Sequence, residues 1–189
     1  NENRRWEEAK QLQNYISQQD KDYRYILAGD LNLYSPNERA YKLLVDSMSV
    51  DLEDPIGDWV RDDNSNVLKY TQSTRTDQIG DGGSTGGLDD RFDFILFSDH
   101  FTKTDPNLKL LENSYTVIGN DGKHFNRSII DGTNDSAPEE IIQSIYYASD
   151  PISPSLSTTV SLNDMVVEIS TVGTTKVAFI LFRFVKETF

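Results

Sequence analysis

Apolar residues recur at every third or fourth position near the start of the chain, and charged or amide residues stand between them. The residues with this spacing are Trp6, Ala9, Leu12, Tyr15 and Ile16. The pattern is typical of an amphipathic helix that packs one face. The apolar run "RYILAGD", which ends at Asp30, then predicts a buried strand. A helix followed directly by a strand suggests α/β layering.

A second helix and a long polar segment follow this strand. Ser35 and Pro36 resemble a helix N-cap and a first helical residue, and Glu38 stands near the capping-box position. The segment "RAYKLLVDSM" after them predicts a helix. Residues 53–90 are polar and glycine-rich, and they include "GDGGSTGG". We predict a long surface loop there, because strand patterns resume immediately afterwards.

The second half of the chain contains several strand patterns. The clearest is "RFDFILFS" at residues 91–98. Further candidates are "YTVIG" at 115–119, "SIYYAS" at 144–149 and "LSTTVSL" at 156–162. The runs "DMVVEIS" and "KVAFILFRFV" flank "TVGTT", and this order predicts a terminal β-hairpin.

The composition is that of a folded, acidic protein. The chain has 189 residues, 37% apolar and 11% aromatic, and a formal charge of −13. No basic patch indicates a nucleic-acid partner, although a bound metal ion can invert the local field around carboxylates. Cysteine is absent, which excludes disulfides and thiolate sites. The most apolar run, at 177–185, is too short to span a bilayer.

Polar side chains follow the apolar run that ends at Gly29. Asp30 and Asn32 lie two residues apart, so in a strand they would share a face. Asp and Asn also end strands by bonding to their own backbone, and a purely structural reading stays open. The alternative is that these two groups form half of a functional site.

Two further segments favour the functional reading. Arg91 and Asp93 alternate with aromatic residues on a predicted strand that is entered from a glycine-rich loop. "YYASDP" brings Asp150 to the end of another aromatic run. We therefore predict three strands that end in carboxylates, Asp30, Asp93 and Asp150, although a solvent-facing edge would also explain charges on the strand at 91–98.

Together these motifs resemble the endonuclease/exonuclease/phosphatase superfamily, the DNase I-like proteins. "ILAGDLN" is similar to its Gly-Asp-Phe-Asn motif, "RFDFIL" to its Arg-x-Asp-x-Ile motif, and "ASDP" to the place of its terminal Ser-Asp-His motif. The resemblance implies an α/β fold, the C-terminal half of a four-layered α/β sandwich, over residues 1–162. It leaves 163–189 as an extension that would hold the hairpin. Loop sequences are most similar to secreted-type members from marine and soil Bacteroidetes.

The resemblance also implies roles for individual residues. Asp30 would orient or deprotonate the attacking water, and Asn32 would donate a hydrogen bond to the scissile phosphate. Asp150 would lie beside a divalent metal, Mg²⁺ or Mn²⁺, and Asp93 would orient a histidine that follows Asp150. The catalytic set is then Asp30, Asn32, Asp93 and Asp150, with Asp150 as metal ligand. Substrate contacts would come from Asn32, Arg91, His124 and Arg127.

The chain departs from the family at position 151, where proline stands in place of the motif histidine. Proline has no side-chain donor or acceptor, so it cannot serve as the base or phosphate ligand. His124 stands at no motif position, and a lone loop histidine is usually a bystander. The resemblance further places the metal-binding Glu and a second His before residue 1. We therefore expect weak metal binding and no rescue by Pro151→His alone.

These observations lead to one functional expectation with two alternatives. The resemblance implies a metal-dependent phosphoesterase, an endonuclease or phosphodiesterase that is impaired in this chain. The alternatives are a phosphatase or lipid phosphodiesterase on the same fold, and a non-catalytic binding module, which Pro151 favours. The expected partner is a phosphate-ester substrate, which includes nucleic acid. We expect no membrane-spanning segment. The resemblance implies an extracellular or periplasmic protein, either a monomer or a chain that needs the upstream half.

Overall fold

The computed structural model describes residues 2–19, 24–46, 52–99, 108–110, 115–148, 156–162, 165–171 and 178–182. Its helices are α1 (Glu2–Ser17), α2 (Arg39–Val45) and α3 (Glu139–Ala148), with a 3-10 helix at Asn64–Lys69. Its strands are β1 (Arg24–Asp30), β2 (Leu52–Glu53), β3 (Asp93–Ser98), β4 (Leu108–Leu110), β5 (Thr116–Val117), β6 (Leu156–Leu162), β7 (Met165–Thr171) and β8 (Ala178–Phe182). Among these residues no helix combines the length and the apolar character needed to cross a membrane.

The first two helices form a layer on one face of a sheet. The predicted first helix is confirmed as α1, which buries Ala9 and Ile16. The second helix begins later than predicted, at Arg39. Ser35 forms a turn instead of an N-cap, because its Oγ accepts from Asn37 N–H at 3.0 Å and its carbonyl accepts from Glu38 N–H at 3.1 Å.

The central sheet has the strand order β2-β3-β1-β8, with every pair antiparallel. In the β1–β3 pair, Leu27 lies opposite Leu96, and Ala28 lies opposite Ile95. Opposite residues share a face, so successive pairs alternate between the two faces of the sheet. Tyr25, Leu27, Phe94 and Leu96 pack in one core with α1 and α2. The opposite face is buried as well, at Ile26, Ala28, Ile95 and Phe97.

The predicted terminal hairpin is wrong. In the described chain β7 pairs with β6, while β8 pairs with β1 in the central sheet. The second sheet therefore consists of β6 flanked by β7 on one side and by β4 and β5 on the other. Strand β8 instead occupies the edge of β1 that β3 leaves free. Strands β7 and β8, which follow residue 162, thus lie in different sheets.

The strand predicted at 144–149 is also wrong, because residues 144–148 belong to helix α3. Its start carries the expected signals, Pro138 followed by Glu139 and Glu140. The side chains Ile142, Ile145 and Tyr146 recur at helical spacing and pack on the core. Asp150 therefore follows a helix in sequence, and residue 150 itself lies outside the described residues.

The polar segment at 53–90 is largely loop, as predicted, and residues 77–82 are exposed, but the stretch at 71–75 is packed into the structure. Thr71, Ser73, Thr74 and Arg75 are buried. Their backbone is hydrogen-bonded to neighbouring segments, since Thr74 O accepts from Ile129 N–H at 2.9 Å and Arg75 O accepts from Gly87 N–H at 3.0 Å. Buried polar groups need such partners, and these contacts supply them.

A buried ion pair lies beneath the start of β3. The Arg91 guanidinium donates to both carboxylate oxygens of Asp54, at 2.7 and 3.0 Å, and to Gly57 O at 3.2 Å. Its side chain is fully buried, and its central carbon lies 4.2 Å from the Phe94 ring centroid. The Tyr41 hydroxyl also donates to Asp54, at 2.9 Å. These contacts fix the 54–57 segment and α2 to the beginning of β3.

The described chain mixes helices with antiparallel sheets, as the predicted α/β class requires. A helix layer covers one face of the central sheet, and the hydroxyl of Tyr115, which precedes β5, accepts from the β3 backbone at Ile95 N–H at 3.2 Å. The DNase I-like four-layered arrangement stays a prediction.

We expect Asp54→Ala to destabilise the protein by about 3–5 kcal/mol, because the change leaves the Arg91 charge buried without its carboxylate. Urea unfolding at neutral pH measures the loss. Asp58→Ala, which removes an exposed carboxylate from the same segment, is the matched control and should change stability by less than about 0.5 kcal/mol. Equal, small effects of both changes would contradict the assigned role of the pair.

Candidate functional site

The structure brings Asp30 and Asp93 side by side. Asp30 is the last residue of β1, and Asp93 is the first residue of β3, directly opposite it. The expectation that Asp93 ends its strand is wrong, yet both residues reach the same sheet end because the strands run antiparallel. Opposite residues in such a pair have Cβ atoms about 5 Å apart and share a face. Both carboxylates therefore lie on the face opposite α1 and α2.

Asn32 lies just beyond this strand end in a left-handed conformation, with φ of 49°. Asn is one of the few residues other than glycine that adopt this region readily. Its backbone N–H donates to Asp30 Oδ1 at 2.9 Å, which closes an Asx turn. The structural reading of "GDLN" is thus correct for Asp30 Oδ1, which accepts the Asn32 N–H.

Burial raises the pKa of Asp30 above the ordinary value, and hydrogen bonds from the backbone and side chain of Asn32 offset only part of this rise. A carboxylate with a raised pKa is a stronger base than an ordinary one. Such perturbed groups are enriched at functional sites, although structural networks perturb pKa values too.

Thr71 positions the start of β3. Its hydroxyl oxygen accepts from both Phe92 N–H and Asp93 N–H, at 3.0 and 2.9 Å, and its own N–H donates to Asp90 O at 2.9 Å. The side chain takes the place of a neighbouring strand and fixes Asp93 opposite Asp30. Sequence reasoning missed Thr71, since nothing in a polar loop indicates which hydroxyl will cap a strand 20 residues later.

A groove of about 630 Å³ adjoins this sheet end. Its lining includes Asp30 and Asn32, apolar side chains from α1 and α2, and Arg4 and Glu8. Arg4 and Glu8 form an exposed ion pair at 2.9 Å. The groove therefore lies between the sheet and the two helices, on the face opposite the Asp30 and Asp93 carboxylates, and it meets Asp30 and Asn32 only at the sheet end.

Arg91, predicted to contact substrate, has no exposed side-chain surface. Its donors face Asp54 and Gly57, beneath the sheet end. Burial would lower its pKa, but Tyr115 and Asp54 outweigh that effect and raise it, so the guanidinium stays charged. This position gives Arg91 a structural role in the described chain, and a contact with substrate stays a prediction.

His124 and Arg127 lie on a loop that packs against the glycine-rich segment. His124 is buried, and its Nδ1 lies 2.7 Å from Asp121 Oδ1. Burial would raise the pKa of Asp121, but hydrogen bonds from Lys123 N–H, His124 and Asp135 N–H lower it. The Arg127 side chain is exposed and lies beside Asp131, at 3.8 Å.

The glycine-rich segment touches this loop closely. Gly87 has φ of 79°, and a Cβ placed there would lie 2.9 Å from Arg127 N. Leu88 forms a parallel bridge with Phe125. His124 and Arg127 are thereby connected to residues that lead into β3, while their polar side-chain contacts within the described residues are with Asp121 and Asp131.

Asp150, the predicted metal ligand, and Pro151 lie outside the described residues. Within the part of the chain that the structure describes, no group of three or more His, Asp or Glu side chains could hold a metal ion. Asp30 and Asp93 alone offer fewer oxygens than Mg²⁺ requires. The described residues do not by themselves fit this ion, and the Mg²⁺ or Mn²⁺ cofactor stays a prediction.

No family model, no curated protein and no solved structure matches this chain.

We expect Asp30→Asn to raise the unfolding midpoint at neutral pH. A carboxyl group whose native pKa is raised binds its proton more tightly in the folded state, so its ionisation destabilises the fold as pH rises through the native pKa. The neutral amide avoids this cost and can still accept from Asn32 N–H. The gain should vanish below the ordinary value of 3.8, where Asp30 is protonated in both states.

Thermal unfolding followed by circular dichroism at neutral and at acidic pH measures this difference. The exposed carboxylate Asp46, at the end of α2, provides the control Asp46→Asn. A lower midpoint for Asp30→Asn at neutral pH would show that the ionised carboxylate stabilises the fold.

Alanine substitutions at Gly87 and Gly82 distinguish the cost of backbone strain from the cost of a steric clash. Both residues have φ of 79°, but only at Gly87 would a Cβ lie against backbone atoms of a neighbouring segment. Gly82→Ala should cost about 1 kcal/mol, from the left-handed conformation alone. Gly87→Ala should cost about 1–3 kcal/mol more, because the methyl group displaces the 126–127 backbone. Urea unfolding compares the two, and equal losses would contradict the close approach.

Proposed function

We propose that the chain is a metal-dependent phosphoesterase that acts on a phosphodiester by water attack. The observation that carries the proposal is the pairing of Asp30 with Asp93 at one sheet end, with Asn32 immediately beyond it. The resemblance of "ILAGDLN" and "RFDFIL" to the endonuclease/exonuclease/phosphatase motifs supports the same reading.

In this proposal Asp30 Oδ2 accepts a proton from the attacking water. The water oxygen forms a bond to phosphorus while the bond to the leaving oxygen breaks, and the leaving oxygen takes a proton from solvent. The Asn32 amide donates to a non-bridging phosphate oxygen, where a carboxylate would repel the developing charge. The raised pKa of Asp30 favours proton transfer near neutral pH. Asp150 is the proposed metal ligand.

A non-catalytic binding module is the second candidate. Pro151 favours it, because this position lacks the imidazole that the family places there. Such a module would keep the fold and the groove but would not turn over a phosphate ester. The two candidates differ in one measurable property, hydrolysis that depends on Asp30.

The test is hydrolysis of bis(p-nitrophenyl) phosphate with Mg²⁺ or Mn²⁺. We expect slow turnover by the unmodified chain and a loss of about 10²–10⁴-fold in Asp30→Asn, the usual contribution of a positioned base. Asn32→Ala should lose about 10²–10³-fold, as expected for one donor to an oxyanion. Asp46→Asn should retain full activity.

Turnover that is unchanged in Asp30→Asn would indicate a contaminating enzyme and contradict the proposal. No turnover with either metal would favour the binding module. Comparison with p-nitrophenyl phosphate separates a diesterase from a phosphatase, because the monoester has only one esterified oxygen.

A further inference from the structure

An exposed aromatic ring lies beside the candidate site. Tyr34 follows Asp30 by four residues, and 42% of its surface is exposed. Its ring packs edge-on against Phe92, with centroids 5.0 Å apart and an angle of 73°. Phe92 O accepts from Leu31 N–H at 2.8 Å, so these residues belong to the same sheet end as Asp30 and Asp93.

Tyr34 is held in place by an ion pair that leaves the ring exposed. Glu38 accepts from Tyr34 N–H at 2.9 Å and from two nitrogens of Arg5 at 2.8 and 2.9 Å. The Arg5 guanidinium lies 5.0 Å from the Tyr34 ring centroid, and only 12% of its side chain is exposed. The charge of Arg5 is therefore matched by Glu38, and the backbone at Tyr34 is fixed before any ligand arrives.

Arg61 is the second cation at this ring, 5.7 Å from the Tyr34 centroid. Half of its side chain is exposed, and its Nε lies 3.4 Å from Asp90 Oδ2. The buried Asp90 is fixed in turn, since its Oδ1 accepts from Trp59 Nε1 at 3.0 Å. Among the described residues no partner accepts a hydrogen bond from either Nη of Arg61. Asp90 thus anchors the guanidinium, whose charge also acts on Asp89, and half of the Arg61 side chain stays exposed.

We propose that Tyr34 and Arg61 form a subsite for the nucleotide that flanks the scissile phosphate, so that the substrate is a single-stranded nucleic acid. The inference rests on the proposed phosphodiesterase function. A base stacks on the exposed Tyr34 ring, and the neighbouring phosphate accepts from the two Nη atoms of Arg61 in a bidentate contact. Stacking of this kind tolerates any base, because every base has a π-face.

The charge of the chain favours a single strand over a duplex. A protein that binds duplex DNA matches many phosphates with Lys and Arg, whereas this chain carries 31 acidic and 18 basic residues. One guanidinium with one aromatic platform fits a flexible strand that contacts the protein at one nucleotide. A duplex would bring additional phosphates towards an acidic surface.

Arg39 shows what a similar pair looks like without this role. Its guanidinium lies 5.1 Å from the Trp6 ring centroid, and 53% of its side chain is exposed, almost as for Arg61. Its Nη2 donates to Asn3 Oδ1 at 2.9 Å, and its Nε lies 3.7 Å from Glu2. Arg39 is thus matched to Arg61 in exposure and aromatic contact, but it belongs to the α1–α2 surface.

The test is fluorescence anisotropy of a labelled oligothymidylate of about ten nucleotides, the size range of single-strand sites. EDTA in the buffer prevents metal-dependent hydrolysis during the titration. The variants are Arg61→Gln, Tyr34→Leu, Tyr34→Phe and the control Arg39→Gln. Thermal unfolding of each variant checks that it is folded, and the Tyr34→Phe and Arg61→Gln pair carries the test if Tyr34→Leu is unfolded.

We expect Tyr34→Leu to weaken binding about 5–100-fold through lost stacking, and Tyr34→Phe to stay within about twofold because it keeps the ring. Arg61→Gln should weaken binding about 5–20-fold and lower the salt slope by about one, as for a lost phosphate contact. Arg39→Gln should match the unmodified chain. A duplex of the same sequence should compete poorly.

Absence of single-strand binding, equal losses in Arg61→Gln and Arg39→Gln, or an equal loss in Tyr34→Phe and Tyr34→Leu would overturn the subsite. Failure of the subsite and failure of the proposed function give different results. Asp30-dependent hydrolysis of the small diester without strand binding rejects only the subsite. Strand binding that depends on Tyr34 and Arg61, without any hydrolysis, rejects the catalytic function and leaves a binding module.

Discussion

The buried ion pair between Arg91 and Asp54 is the interaction on which the rest of the sheet end depends. Removing two charges from water costs several kcal/mol for each ion, and only a bidentate geometry with further hydrogen bonds offsets this cost. Here the Asp54 carboxylate accepts hydrogen bonds from two nitrogens of Arg91 and from the Tyr41 hydroxyl. The pair therefore has one favourable arrangement, and this arrangement fixes where β3 begins relative to α2.

A second buried carboxylate, that of Asp90, connects the buried ion pair to the surface residue Arg61. Asp90 Oδ1 accepts from Arg91 N–H at 2.8 Å and from Trp59 Nε1, and its other oxygen lies near Arg61. Burial raises the pKa of Asp90, while its hydrogen bonds and Arg61 offset part of the rise. Asp54 and Asp90 are thus structural acids, although Asp90 Oδ2 is buried with only the charge of Arg61 beside it and no hydrogen bond. Asp30 differs, because among the described residues its carboxylate accepts from the neighbouring Asn32 and has no cationic partner, and it borders the groove.

The sequence was informative where a pattern is local. The apolar runs ending at Asp30 and starting near Asp93 were predicted correctly as strands, and the motif logic placed both residues at one sheet end. Residues 144–149 resemble a strand when they are considered alone. The helix becomes evident when the preceding residues are included, because Pro138 is a typical helix start and Ile142, Ile145 and Tyr146 recur at helical spacing. The hairpin prediction assumed that consecutive strands pair, whereas β8 pairs with β1 instead. Which distant strands pair depends on which strand of the sheet still has an unpaired edge, and a local sequence pattern carries no information about that.

The geometry of the candidate site also depends on residues that lie outside every motif in the sequence. Asp54, Thr71 and Arg61 come from a segment that composition alone describes as a loop, and their roles follow from which buried donor lacks a partner after folding. The chain is strongly acidic, and Asp30 and Asp93 add like charges at the sheet end, so an anionic substrate is repelled there unless a cation is present. Arg4 is paired with Glu8 and Arg5 with Glu38. Arg61 is the cation whose outer donors remain open among the described residues near Tyr34, which makes it the point where an acidic protein can receive a phosphate.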